Sequence, residues 1–225
     1  MLPGGWGVMK TTAWLLAGLL LPFEAQADVL TGVVTTKTRA GTQPAPVVVY
    51  AEPLGGAAPA RETKPVTLSQ KNKAFAPRVL GVPVGTAVSF PNDDDIFHNV
   101  FSLSPGNAFD LGLYRAGASK TRTFATPGVV RIFCNIHPQM TALVVAAPTP
   151  WVVTTGPDGA WRLDLPAGRY KLTAVSERAA AVTAEVTVAG TSTAPALALD
   201  ESAFVAVPHT NKFGKPYPAA AYKQP

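Results

Sequence analysis

The residues able to do unusual chemistry are few. The chain has one cysteine, three histidines and three methionines. Cys134, His137 and Met140 lie together in C-N-I-H-P-Q-M, and His98 stands 36 residues before the cysteine in F-P-N-D-D-D-I-F-H-N-V-F-S. Thiolate and thioether are soft donors and imidazole is borderline. A trigonal His₂Cys set with a weak, long axial Met is the donor set of a blue-copper electron-transfer site. The spacing suits a loop: Cys134 ends a strand, and His137 and Met140 turn back around one ion. His98 comes from a neighbouring strand or loop, delivered only by the fold.

Each half of this pattern arises by chance in many proteins, and a lone buried Cys is more often a small hydrophobe than a ligand. Concentration separates the two readings. The only Cys, the only Met after residue 27 and two of the three His fall in two short windows. A single Cys forms no internal disulfide, and a thiol outside the cytosol is liable to oxidation. Burial or metal coordination would let it persist. His209, in P-H-T-N-K-F-G-K-P-Y-P, lies outside the set and reads as a surface or docking residue. Asp93-Asp94-Asp95 reads first as a solvated loop. Its functional alternatives are an acidic patch for a basic redox partner or a transient copper-uptake site.

The elements that must position these residues are strands. Short β-branched runs recur at Gly32–Thr36, Val47–Tyr50, Val79–Val82, Thr86–Phe90, Asn99–Ser102, Thr121–Phe124, Val129–Phe133 and Thr141–Val145. They continue at Trp151–Thr154, Ala160–Leu165, Arg169–Val175 and Val182–Val188. Most are bounded by Gly, Pro, Asn or Asp, the spacing of an all-β sandwich or barrel. Trp161, Leu163 and Leu165 alternate with Arg162 and Asp164, as in a half-buried strand. Gly156-Pro157-Asp158-Gly159 is a turn in which Pro presets φ and Gly accepts a positive φ. The 19 Gly and 22 Pro agree with such a turn-rich chain.

Met9-Lys10, the apolar run Ala13–Leu21 and the small-residue site Ala25-Gln26-Ala27 follow the order of a secretory signal. The run is too short to span a bilayer, so no membrane span is expected after cleavage. Apolar residues at 47% can build a core, and charged residues at 15% are too few for a disordered chain. The net charge of +5 comes from scattered basic residues, not a stripe, which argues against nucleic-acid binding.

Residues 66–147 resemble a cupredoxin of the plastocyanin and amicyanin kind. F-A-P-R-V-L-G-V-P-V-G-T-A-V-S-F-P-N-D-D (75–94) is similar to the family's opening strands. H-N-V-F-S (98–102) resembles the motif of its first His ligand, and P-G-V-V-R-I-F-C-N-I-H-P-Q-M (127–140) its ligand loop, in the short amicyanin-like form. The resemblance implies His98, Cys134 and His137 as equatorial ligands and Met140 as the axial one, holding one type 1 copper ion. It implies that Asn99 ties the two ligand loops and hydrogen-bonds near the sulfur. It implies, too, that His137 exposes its edge through an apolar patch, flanked by Ile136 and Pro138, where a redox protein partner docks. F-D-L-G-L-Y-R-A-G (109–117) fits a subgroup of bacterial plastocyanin-like proteins labelled methylamine-utilisation proteins.

Residues 30–50 and 154–175 look like the first and later strands of a carboxypeptidase-regulatory-like domain, a transthyretin-like sandwich. The expected fold is therefore all-β: a cupredoxin Greek-key sandwich plus a second small sandwich into which it is inserted. The expected divisions are a signal (1–27), first strands of the regulatory-like sandwich (28–58), cupredoxin (59–149), the rest of that sandwich (150–199) and a C-terminal tail (200–225). In the bland alternative, residues 28–58 simply add strands to the cupredoxin sheet.

The functional expectation is an exported, periplasmic electron carrier using Cu(I)/Cu(II), and not an enzyme. Three His cannot supply a trinuclear oxidase cluster or the further His-rich site of a nitrite reductase, and a binuclear copper site needs two Cys. Structural zinc is disfavoured because its usual donors do not include Met. Two other classes stay open. One is copper storage, delivery or tolerance through the same ligands. The other is a structural or binding sandwich, for which Trp151, Trp161 and Tyr170 are the candidate aromatic platform.

Overall fold

The computed structural model describes residue 1 and residues 27–60 and 62–218. The expected export signal, apart from its two end residues, lies outside them. The described chain is all-β and contains no helix. In chain order the strands are β1 (Asp28–Lys37), β2 (Val48–Pro53), β3 (Val66–Thr67), β4 (Ser69–Lys71), β5 (Ala74–Ala76) and β6 (Val79–Pro83). Next come β7 (Ala87–Pro91), β8 (His98–Ser102), β9 (Phe109–Tyr114), β10 (Ser119–Thr123), β11 (Gly128–Phe133) and β12 (Thr141–Ala147). The last six are β13 (Val152–Thr154), β14 (Ala160–Leu165), β15 (Gly168–Val175), β16 (Val182–Val188), β17 (Thr191–Thr193) and β18 (Leu197–Asp200).

Strands from the two ends of the described chain pair with each other. β1 lies antiparallel to β14 and parallel to β17 and β18, and β2 lies between β13 and β15, with β16 beyond. Leu30 and Val34 from the first sheet and Val49, Ala51 and Leu172 from the second share one core with Trp161, Leu163 and Leu165. The alternation of β14 dictates this: its odd residues are buried and its even ones exposed. Gly32 sits opposite Trp161, and a Cβ there would lie 2.5 Å from the indole. The 156–159 turn closes as its sequence predicts. Gly159 has φ of +78° and approaches the Val34 carbonyl so closely that a Cβ would sit 2.2 Å from its oxygen.

Between these strands, residues 66–147 form a second two-sheet unit. One sheet runs β10-β7-β3 and the other β6-β12-β11-β8-β9, with β4 and β5 as a short hairpin. Phe90, Val100, Phe124, Val130, Ile132 and Val144 are fully buried in its core. β12 explains its own unbroken apolar run. Ala142, Val144 and Ala146 face this core, while Leu143 and Val145 face a separate cluster with Val48, Val79 and Val175. A strand buried on both faces reads as continuously apolar. That second cluster joins the two units, and Glu177 clamps it with two hydrogen bonds from Arg78 at 2.8 and 3.0 Å.

Candidate metal centre

β8 and β11 are neighbours, pairing at Phe101 and Phe133. His98 opens β8, and Cys134 directly follows β11. The 134–140 loop then returns the chain into β12 and is clasped at its base. Cys134 N–H donates to the Met140 carbonyl (3.2 Å) and Met140 N–H to the His137 carbonyl (2.9 Å).

Three of the expected ligands meet. The potential donor atoms of His98, Cys134 and His137 all lie within 4.8 Å of one another. His98 Nδ1 is 3.1 Å from His137 Nδ1, and Cys134 Sγ is 3.8 Å from each of these nitrogens. His98 and Cys134 are fully buried and His137 is half-buried. Met140 is fully buried on the same loop and in the same cluster as Cys134.

Asp94 turns inward and fixes His98. Its Oδ2 lies 2.7 Å from His98 Nε2. A proton held on Nε2 by the carboxylate leaves Nδ1 as a lone-pair donor facing the sulfur. Asp94 is itself held by the backbone N–H groups of Asn72 and Lys73, at the tip of the β4–β5 hairpin. Burial acts to raise its carboxyl pKa. The bonds from Lys73, His98 and Asn72 outweigh this and hold it below the ordinary value. Asp93 and Asp95 are exposed, so the solvated-loop expectation describes them but not Asp94. The hint in the sequence was spacing: Asp94 precedes His98 by four residues.

Burial pushes the Cys134 thiol up, against hydrogen bonds to sulfur from the N–H groups of Asn99, Ile136 and His137. His137 is pushed down chiefly by burial, which favours its neutral, ligating form. Deprotonated sulfur and neutral imidazole are the states a metal needs.

The side chain of Asn99 does not make the expected direct tie to the ligand loop. Its Nδ2 donates to Asp110 Oδ1 at 2.7 Å. Asp110 Oδ2 accepts from Lys212 Nζ at 2.7 Å, and Lys212 N–H donates to Asn135 Oδ1 at 3.0 Å. The link between the two ligand-bearing segments thus passes through the C-terminal segment. Of the residues flanking His137, Ile136 is 44% exposed but Pro138 is buried. Ile136 and, next to His98 in the chain, Phe97 are both exposed apolar residues.

His209 lies against the ligand loop. It is half-buried, stacked on Phe133 with centroids 4.1 Å apart, and its Nε2 lies 2.7 Å from the Pro138 carbonyl. Nothing local in the aperiodic tail sequence signals these contacts. Trp151, Trp161 and Tyr170 are all buried in the first core, so they form no binding platform.

No protein-family model and no curated protein matches the chain. Solved structures similar to part of it are copper-related. A copper-containing nitrite reductase from Thermus scotoductus is 29% identical over 42% of this chain and 25% of that one, with a TM-score of 0.36. The chain thus spans about a quarter of that enzyme's length. A purple cupredoxin from Nitrosopumilus maritimus is 26% identical over 36% of this chain and 99% of its own, TM-score 0.33. Amicyanin from Paracoccus versutus is 22% identical over 36% of this chain and 79% of its own, TM-score 0.33. Among the described residues, no helix is long and apolar enough to cross a membrane.

Proposed function

We propose that this chain is an exported, periplasmic one-electron carrier. Its ion would be a single copper held by His98, Cys134 and His137, with Met140 as the long axial donor. The observation that carries the proposal is the convergence of two imidazole nitrogens and one buried sulfur at 3.1 and 3.8 Å. First-row ions sit roughly 2.0 Å from nitrogen and 2.3 Å from sulfur, so three donors at these separations can share one ion. The soft sulfurs favour copper among such ions.

Bound there, copper would supply a Cu(I)/Cu(II) couple. The chain's own residues do the rest. Asp94 orients His98, three backbone N–H groups stabilise the thiolate, and the clasped loop keeps His137 and Met140 in place. A donor set held on packed strands changes little between oxidation states, which limits reorganisation. Half-buried His137, with exposed Ile136 next to it in the chain, offers an apolar surface to a redox partner. We further propose that residues 28–58 and 150–199 are one regulatory-like sandwich into which 59–149 is inserted. The pairing of β1 with β14 and of β2 with β15 supports this.

The test is visible absorption of the purified protein after adding Cu(II), repeated on Cys134→Ser. An intense blue thiolate-to-copper band, lost in the variant, is expected. Weak copper uptake with no such band in the parent would sink the electron-carrier proposal.

A further inference from the structure

The segment from His209 to Tyr217 is built as a unit and docks on the ligand loop. Thr210 and Pro216 bridge, Asn211 N–H donates to the Lys215 carbonyl (2.8 Å), and Asn211 Oδ1 accepts from the N–H groups of Phe213 and Lys215. The turn is therefore closed on itself. His209 and Tyr217 form its two feet, with rings 5.3 Å apart.

Its attachments are concentrated on the loop that carries Cys134, His137 and Met140 and on the strand end before it. Tyr217 Oη donates toward the carbonyls of Asn135 (3.1 Å) and Cys134 (3.4 Å). His209 meets the Pro138 carbonyl and stacks on Phe133. Lys212 binds Asn135 through its backbone N–H and Asp110 through its ammonium. Hydrophobic burial does not explain this docking. Val205, Val207 and Phe213 are 67%, 82% and 72% exposed. Within the ligand loop itself, two clasping bonds at the base and the N–H groups of Ile136 and His137 on the Cys134 sulfur hold the backbone, and none of these occupies the carbonyls of residues 134, 135 and 138. The carbonyls of residues 134, 135 and 138 need partners from elsewhere.

We infer that His209, Lys212 and Tyr217 are positioning residues. The C-terminal segment is a brace that sets the geometry of Cys134, His137 and Met140 through the backbone of their loop. It also closes the link Asn99–Asp110–Lys212–Asn135 between the strand bearing His98 and the loop bearing the other donors. A tail so distant in sequence thereby becomes part of the metal centre. The inference deepens the copper proposal, and its effect on the copper spectrum rests on that proposal.

The experiment compares the parent protein with a chain truncated after Pro208 and with the milder Tyr217→Phe and Lys212→Met variants. Val207→Ala serves as the exposed control. In the copper-free proteins, amide exchange of residues 134–140 is expected to quicken about fivefold for each lost hydrogen bond. In the copper-loaded proteins, the thiolate-to-copper band is expected to shift, and copper loss to a chelator to speed up about tenfold. Far-UV circular dichroism establishes that each variant is folded. If the truncated chain does not fold, the two point variants decide.

Folded variants with unchanged loop exchange, spectrum and release rate would overturn the brace. A parent that shows no blue band would refute the copper proposal instead. The exchange measurement on the copper-free protein then still decides the brace.

Discussion

The two β units of this chain use the same material for different ends. In the sandwich built from the two ends of the described chain, the interior is mostly apolar packing, with a buried polar group in which Glu201 accepts from Ser176 and from Ala45 N–H. Leu30, Val49, Leu163 and Leu172 interdigitate, and the charged residues of β14 face water. In the inner unit the interior also holds Gln70, Asn92, His98 and Asn99. Each makes directed bonds. Asn92 Nδ2 donates to the Ile96 carbonyl and its Oδ1 accepts from Asp94 N–H, which shapes the turn that aims Asp94. Gln70 bonds the Tyr114 hydroxyl, which donates in turn to the Phe90 carbonyl. Buried polar networks of this kind specify one arrangement where apolar packing tolerates several. A donor set needs that specificity, because its ligands must stay within a few tenths of an ångström of a common point. The sandwich needs only to stay folded.

This contrast can be broken by mutation. The largest effect belongs to Leu172→Ala in the sandwich core. Removing a fully buried leucine should cost about 2–5 kcal/mol of stability, read by denaturant unfolding. The spectrum of the copper-loaded folded protein should not move. A changed thiolate band would show that sandwich packing reaches the metal centre through the Val48–Val79–Leu143 cluster.

Asp94→Asn should do the opposite. It keeps the shape beside His98 but removes a negative charge, so stability should change little. Copper affinity should fall about tenfold. The reduction potential should rise, because the more positive Cu(II) state loses more from the missing anion. Competition with a chelator and a redox titration measure the two, and an unchanged potential would remove Asp94 from the tuning of the site.

The smallest effect concerns acid. Burial acts to raise the Asp110 carboxyl pKa, but the bonds from Lys212, Asn99 and Gly112 and the Lys212 charge hold it below the ordinary carboxylate value. The ionised group therefore favours the docked tail above pH 4 or so. That contribution fades as the pH falls through the lowered value. The pair is partly exposed, so it is worth below about 1 kcal/mol. Lys212→Met should abolish the acid-dependent part of tail undocking, followed by amide exchange near Asn135. An equal acid response in the variant would place the titrating group elsewhere.

Much of the site was legible without a structure. His98, Cys134 and His137 stand out by residue type and rarity, and the structure brings them together. The all-β class followed from short runs bounded by turn residues, and the 156–159 turn from the demands of Pro and Gly. Asp94 was half legible. Its spacing from His98 was visible, but nothing distinguished it from Asp93 and Asp95. Asn92 and the hairpin N–H groups of Asn72 and Lys73 make that distinction. The expected roles of Asn99 and Pro138 came from resemblance. The Asn99 N–H does bond the Cys134 sulfur, while its side chain turns to Asp110 and Pro138 is buried.

The sequence by itself determined the donor chemistry, the strand periodicity and the turns. These depend on side-chain type and on residues a few positions apart, where local sterics and alternation decide. Only the tertiary structure decided which carboxylate faces His98, that β1 and β14 close one sheet around an intervening unit, and that the tail braces the ligand loop. Long-range contacts in this fold join residues up to 165 positions apart, such as Arg39 and Phe204. They exist because buried surfaces and unpaired carbonyls must find partners in space, and no local pattern encodes which partner will be near.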